Sequence, residues 1–205
     1  FASETVKLAW RDRHPMTARL WRACRDAAIK AIEKPGSVWK AGPHLRFTYT
    51  EAAGFNYLRM VLPSGNSCCY FTPRLHKTVS RYYDEFSGSW RERVNVSITC
   101  MGVDAVTKQW TRQNLYGGKF VENACQSLAR DILAHGLHLT EAAGFQILLT
   151  VHDETVAEVP HGFDCRGYGD AAELLSALMA TNPLYAPDLP LAAAGFTADR
   201  YRKDD

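Results

Sequence analysis

Leu148-Leu149-Thr150-Val151-His152-Asp153-Glu154-Thr155-Val156-Ala157-Glu158-Val159-Pro160 decides how this chain is read. The stretch predicts two short strands joined by a tight turn. Leu149, Val151, Val156 and Val159 are apolar and largely β-branched, as half-buried strands prefer. Three ionisable residues, His152, Asp153 and Glu154, stand in a row at the join. A solvated acidic turn accounts for them simply. The residues that favour a free two-residue turn, Gly, Asn-Gly or Asp-Gly, are absent, however. Two adjacent carboxylates also repel each other unless a cation lies between them. A metal-binding carboxylate site and an ordinary acidic turn both remain open on spacing alone.

Upstream of this stretch, residues 119–137 predict the clearest helix. At about 100° per residue, Lys119, Asn123, Gln126 and Arg130 fall within roughly 60° of one another. Val121, Ala124, Leu128 and Ile132 fall on the opposite side. One stripe suits a core, and the other, rich in hydrogen-bond donors, suits either solvent or a polar ligand. Gly136 and Gly144 bracket the helix exit, with a short helical Glu141-Ala142-Ala143 between them. Downstream, residues 169–181 predict another helix with Asp170 as N-cap. Pro183, Pro187 and Pro190 make the remainder extended.

Earlier in the chain, residues 3–34 read as helix, broken at His14-Pro15 because the residue before proline avoids the helical region. Pro35-Gly36 stops the second half. Residues 43–72 alternate as a small antiparallel meander with Pro63-Ser64-Gly65-Asn66 as a turn. Residues 73–92 are polar and read as irregular, with an exposed loop. Val94, Val96, Ile98 and Cys100 alternate as a further strand, and Gln109-Trp110-Thr111-Arg112 runs back. Tyr116-Gly117-Gly118 closes this section.

With 205 residues, 46% hydrophobic and 22% charged, the chain has the composition of a globular domain with one core and room for a smaller lobe. A net charge of +2 does not announce a nucleic-acid binder, yet residues 1–50 hold ten Lys or Arg against four Asp or Glu. That face suits phosphate contact or simple solvation. The six cysteines show no zinc spacing and fit free thiols in a reducing, cytoplasmic setting. No apolar run is long enough for a membrane span. The opening at Phe1 rather than Met suggests a piece of something longer.

The order of helix, strand, His152-Asp153-Glu154 and strand resembles the C-terminal palm region of family A DNA polymerases, the group of bacterial DNA polymerase I and its phage relatives. Val151-His152-Asp153-Glu154-Thr155-Val156 with Glu158-Val159 looks like motif C. Tyr116-Gly117-Gly118-Lys119 through Glu122-Asn123, Gln126 and Ala129-Arg130-Asp131 looks like the helix that precedes it, in phage-type form. Trp10-Arg11, His14-Pro15 and Leu20-Trp21 look like the helical segment after the fingers. Leu62-Pro63-Ser64-Gly65 with Tyr70 looks like a phage-type hairpin. Gly195-Phe196 through Tyr201-Arg202-Lys203-Asp204 looks like the chain end. Asn66 stands where an arginine is common.

The resemblance implies an α+β fold. An antiparallel palm-type hairpin and sheet would pack with helices, in an incomplete palm lacking motif A and the fingers. It implies one partial polymerase domain over 1–205, with basic helices at 1–40, a β-rich meander at 43–117, and palm helix, motif C hairpin and C-terminal helix at 119–205. It further implies DNA-directed DNA polymerase activity by two-metal nucleotidyl transfer with Mg²⁺, the site only partly supplied by this chain. Asp153 is the expected metal ligand, with Glu154 supporting catalysis. His152, Gln126, Arg130, Asn123 and Lys119 are the expected DNA contacts. Arg130 has Glu122 or Asp131 as alternative partners. Expected partners are primer-template DNA, deoxynucleoside triphosphates and the missing upstream polymerase half, with no membrane. Alone, the chain is expected to be inactive. Two other classes compete. One is a non-catalytic nucleic-acid-binding module or accessory subunit. The other is a metal-dependent nuclease recruiting Asp104, Asp164 or Glu158, which no spacing supports.

Overall fold

The computed structural model describes residues 2–201, so Arg202, Lys203 and Asp204 of the expected chain end lie outside the described residues. Over the described residues the fold is α+β, with a six-stranded antiparallel sheet, a two-stranded sheet and four helices. It divides into two compact units, Phe1–Gln126 and Ser127–Asp205.

In the first unit, α1 (Ala2–Arg13) and α2 (Pro15–Glu33) meet at His14, which sits at φ −122° and ψ 59°. Proline lacks an N–H and forces its predecessor out of the helical region, so it opens α2 as it closes α1. The buried residues of α2 are Ala18, Cys24, Ala27, Ala28 and Ala31. Small side chains at this spacing let the helix backbone lie close against the sheet.

That sheet is built from β1 (Val38–Ala41), β2 (Leu45–Ala52), β3 (Phe55–Val61), β4 (Ser67–Asp84), β5 (Ser89–Val103) and β6 (Trp110–Leu115), paired in sequence order. Phe47 lies opposite Met60, and Leu58 opposite Tyr70, so these residues share one face. Phe47, Leu58, Met60 and Ile98 are fully buried there. Phe120, from the start of α3 (Gly117–Ala142), meets Phe47 and Tyr70 edge-on at 5.2 Å from each.

Three local expectations are corrected. Residues 73–92 are not irregular: they complete β4, turn, and begin β5, forming a ribbon from Arg74↔Thr99 out to Asp84↔Ser89. Nearly every residue from His76 to Asn95 is exposed on both faces. Alternation of apolar and polar residues arises only where one face is buried, so it could not reveal this ribbon. Next, the helix expected from residue 119 starts two residues earlier. Gly117 begins α3, and a Cβ there would sit 1.9 Å from the Trp21 carbonyl oxygen. Finally, Gly136 lies inside α3. The helix runs on to Ala142 and stops at Gly144, at φ +99°, with Gly144 N–H bonding Glu141 O and Phe145 N–H bonding Thr140 O.

The second unit joins the later part of α3 to β7 (Gln146–Val151), β8 (Glu154–Glu158) and α4 (Ala171–Met179). Its core is Ala143, Phe145 and Leu174, with Ala157, Val159, Phe163 and Leu178 against it. A Cβ on Gly136 would approach the Met179 Cα to 3.2 Å, so glycine permits that contact. Asp170 caps α4 as expected, accepting from Glu173 N–H, while Glu173 accepts from Gly169 N–H. No described helix is long and apolar enough to cross a membrane.

Candidate active site and nucleic-acid interface

The two expected strands form as β7 and β8, paired Val151↔Glu154, Thr150↔Thr155 and Leu149↔Val156. His152 and Asp153 make the two-residue turn between them. Such turns need a positive φ, and His152 supplies it at +56°. Histidine enters this region more readily than bulky or β-branched residues do. The ribbon is anchored at its far end, where Ala157 and Val159 pack on the Phe145 and Leu174 core.

His152, Asp153 and Glu154 are all exposed. The tip is therefore open and not walled in by apolar side chains. Pairing slips at one irregularity between Ile147 and Leu149, and Leu148 and Leu149 are 52% and 44% exposed. Asp153 and Glu154 provide hard oxygen donors, the type Mg²⁺ prefers; it is commonly held by one or two carboxylates plus water and phosphate. Among the described residues, no group of three or more His, Cys, Asp or Glu side chains forms a metal cage. The donors present fit a part share of an oxygen-coordinated ion.

The donor stripe of α3 is only half available. Lys119 Nζ bonds Glu122 at 3.1 Å, so Glu122 is taken by lysine. Asn123 Nδ2 donates to the Tyr70 hydroxyl at 3.0 Å. Burial raises the Tyr70 pKa, and the Asn123 bond opposes that rise. Asn123 thus ties α3 to the sheet. Gln126 and Arg130 are exposed.

A second polar surface escaped the sequence reading. The sheet face opposite Phe47 and Met60 carries Tyr57 paired with Phe71 and Arg112 paired with Met101. The Arg112 guanidinium donates to Thr72 O and Thr99 Oγ1, each at 3.2 Å. The signal was present as the alternation Phe55-Asn56-Tyr57-Leu58-Arg59, in which both sets of positions hold bulky side chains.

The chain is 35% identical over 201 residues to the DNA polymerase of Bacillus phage SP02. The match takes in 98% of this chain but only 27% of that protein, so the chain spans about a quarter of the relative's length. No family model matches the chain, and no solved structure matches it.

Proposed function

We propose that the chain is the C-terminal portion of a family A DNA-directed DNA polymerase, with β7–β8 as motif C of its palm. The observation that carries this is the near end-to-end match to a phage DNA polymerase, combined with an aspartate held at the exposed tip of a β-ribbon. In this reading the protein works inside the cell on primer-template DNA and deoxynucleoside triphosphates, and an upstream polymerase part contributes the second carboxylate.

Asp153 would hold Mg²⁺ by a carboxylate oxygen. Bound metal ions would supply Lewis-acid stabilisation of the attacking and leaving oxygens in phosphoryl transfer. Glu154, at the head of β8, would keep negative charge beside that site. His152 is a poor Mg²⁺ ligand and instead would contact the primer backbone. Gln126 and Arg130 would donate to minor-groove acceptors, whose pattern is nearly independent of sequence. That grips any correctly paired end. Lys119 would exchange Glu122 for a phosphate, and Asn123 would hold the helix in place through Tyr70.

A chimera tests the proposal: this chain replaces the matching 201 residues of the SP02 polymerase. Primer extension is expected from the chimera and not from the chain alone. Asp153→Ala is expected to lower extension by roughly a thousandfold or more, as loss of several kcal/mol of metal-borne charge stabilisation requires. Extension by the isolated chain, or a chimera indifferent to Asp153→Ala, would refute it.

A further inference from the structure

The six-stranded sheet has one face packed against α2 and Phe120 and an opposite face that is open at Phe55 and Trp110. The pairing registers place Thr50, Tyr57, Phe71, Met101 and Arg112 across that open face in successive strands. Four aromatic rings cluster on it. Phe71 lies 5.2 Å from Phe55, 5.5 Å from Tyr57 and 6.0 Å from Trp110. Phe55 and Trp110 are 50% and 58% exposed. Aromatic groups left in water on a sheet are costly unless something stacks on them.

The charge on the same face is one-sided. Lys40, Arg46, Arg59, Arg74, Arg93 and Arg112 all occupy open-face positions by register. Arg91 does too, and it pairs at 2.8 Å with Asp84, the one acidic residue at those strand positions. The irregularity between Phe71 and Arg74 matters here. Without it, parity would put Arg74 on the opposite side from Phe71. With it, the aromatic cluster runs into Arg74 and then out along the ribbon to Arg93. The opposite ribbon face differs: Arg81 is matched to Glu92 and Lys77 to Glu33.

We propose that this open face is a platform for single-stranded DNA. Bases stack on Phe55, Tyr57, Phe71 and Trp110, and the backbone follows Arg74 and Arg93 along the ribbon. Sequence-neutral binding of single strands combines these two features, aromatic faces for bases and a cationic track for phosphates. Arginine suits the role because its planar fork pairs phosphate and stacks on rings. A duplex hides its base faces and would leave the aromatics unused. The choice of DNA over RNA rests on the polymerase reading; the platform itself does not.

Fluorescence anisotropy of labelled oligo(dT) with the 205-residue chain tests this, with a blunt duplex and oligo(U) as parallel arms. Phe55→Ala with Trp110→Ala should weaken oligo(dT) binding by about tenfold or more. Arg74→Ala with Arg93→Ala should lower the slope of log affinity against log salt by about 1.4, from two lost phosphate contacts. Tyr83→Ala, on the other ribbon face, should change neither. All these side chains are exposed, and circular dichroism checks that each variant folds. Wild-type binding that both double variants retain, no binding by the wild type, or preference for the duplex would overturn the platform. Tighter binding to oligo(U) would overturn the assignment to DNA. The SP02 chimera separates the two readings. Active chimera with no oligo(dT) binding sinks the platform alone. Inactive chimera with oligo(dT) binding intact sinks the polymerase reading alone.

Discussion

His152 bends the acidic turn by taking a positive φ, and that sets the position of the carboxylate beside it. A β-branched side chain there meets its own backbone. His152→Val is therefore expected to destabilise the second unit by about 1–2 kcal/mol in a denaturant titration, while His152→Gly is neutral or better. Cys24 tests the first unit. It is fully buried under the sheet, and burial pushes its thiol up from 9.0 to about 11. The folded state holds the proton more tightly than the unfolded chain does. The stability this contributes is complete below pH 9 and is lost as pH rises toward 11, amounting to roughly 2–3 kcal/mol. A urea midpoint that is flat from pH 9 to 11, or that stays unchanged in its slope with pH on Cys24→Ala, would contradict this. Thiol reagents should modify exposed Cys69 and Cys125 in the native protein and reach Cys24 only on unfolding. Gly117→Ala should be the most damaging small substitution in the chain. Its Cβ would meet backbone that cannot yield cheaply, so a loss of several kcal/mol, seen as a lowered melting temperature, is expected.

Elements with a buried face were readable from the sequence, and those without one were not. The stop at His14-Pro15, the β2–β3 meander, the Asp170 cap and the paired strands around the acidic turn all followed from local chemistry. The α3 stripe was readable because Ala124 faces inward and Gln126 outward. Its true start was not, since Gly117 is required by the Trp21 backbone and not by any turn. The outer β4–β5 ribbon defeated the alternation test because water bathes both sides. The open-face platform stayed hidden for a related reason: each strand contributes one or two residues, and only pairing brings them together. The capping of α4 is open to test. Asp170→Ala should cost about 1 kcal/mol, read from the urea midpoint, because it orphans the Glu173 N–H. The ribbon tip at Glu85–Gly88 should be the first site cut by a protease in the first unit, with its two strands staying together after the nick.

At the scale of the molecule, the two compact units carry different parts of the proposed work. The first supplies the sheet and its arginine-rich face; the second supplies the acidic turn. The metal-ligand role of Asp153 and the donor roles of Gln126 and Arg130 rest on the resemblance and the phage match, since neither exposure nor burial singles these residues out. The resemblance to a polymerase could be drawn from the sequence because the acidic turn, the donor helix and their order are linear features, and the 35% identity to a phage DNA polymerase agrees with it. The order of the large sheet has a consequence of its own. Every strand from β1 to β6 pairs with the next in the chain, so no rung must wait for a distant segment. Low sequence separation between partners speeds folding. The first unit can therefore zip up hairpin by hairpin as it leaves the ribosome, and stopped-flow refolding should show it forming without a slow strand-exchange phase.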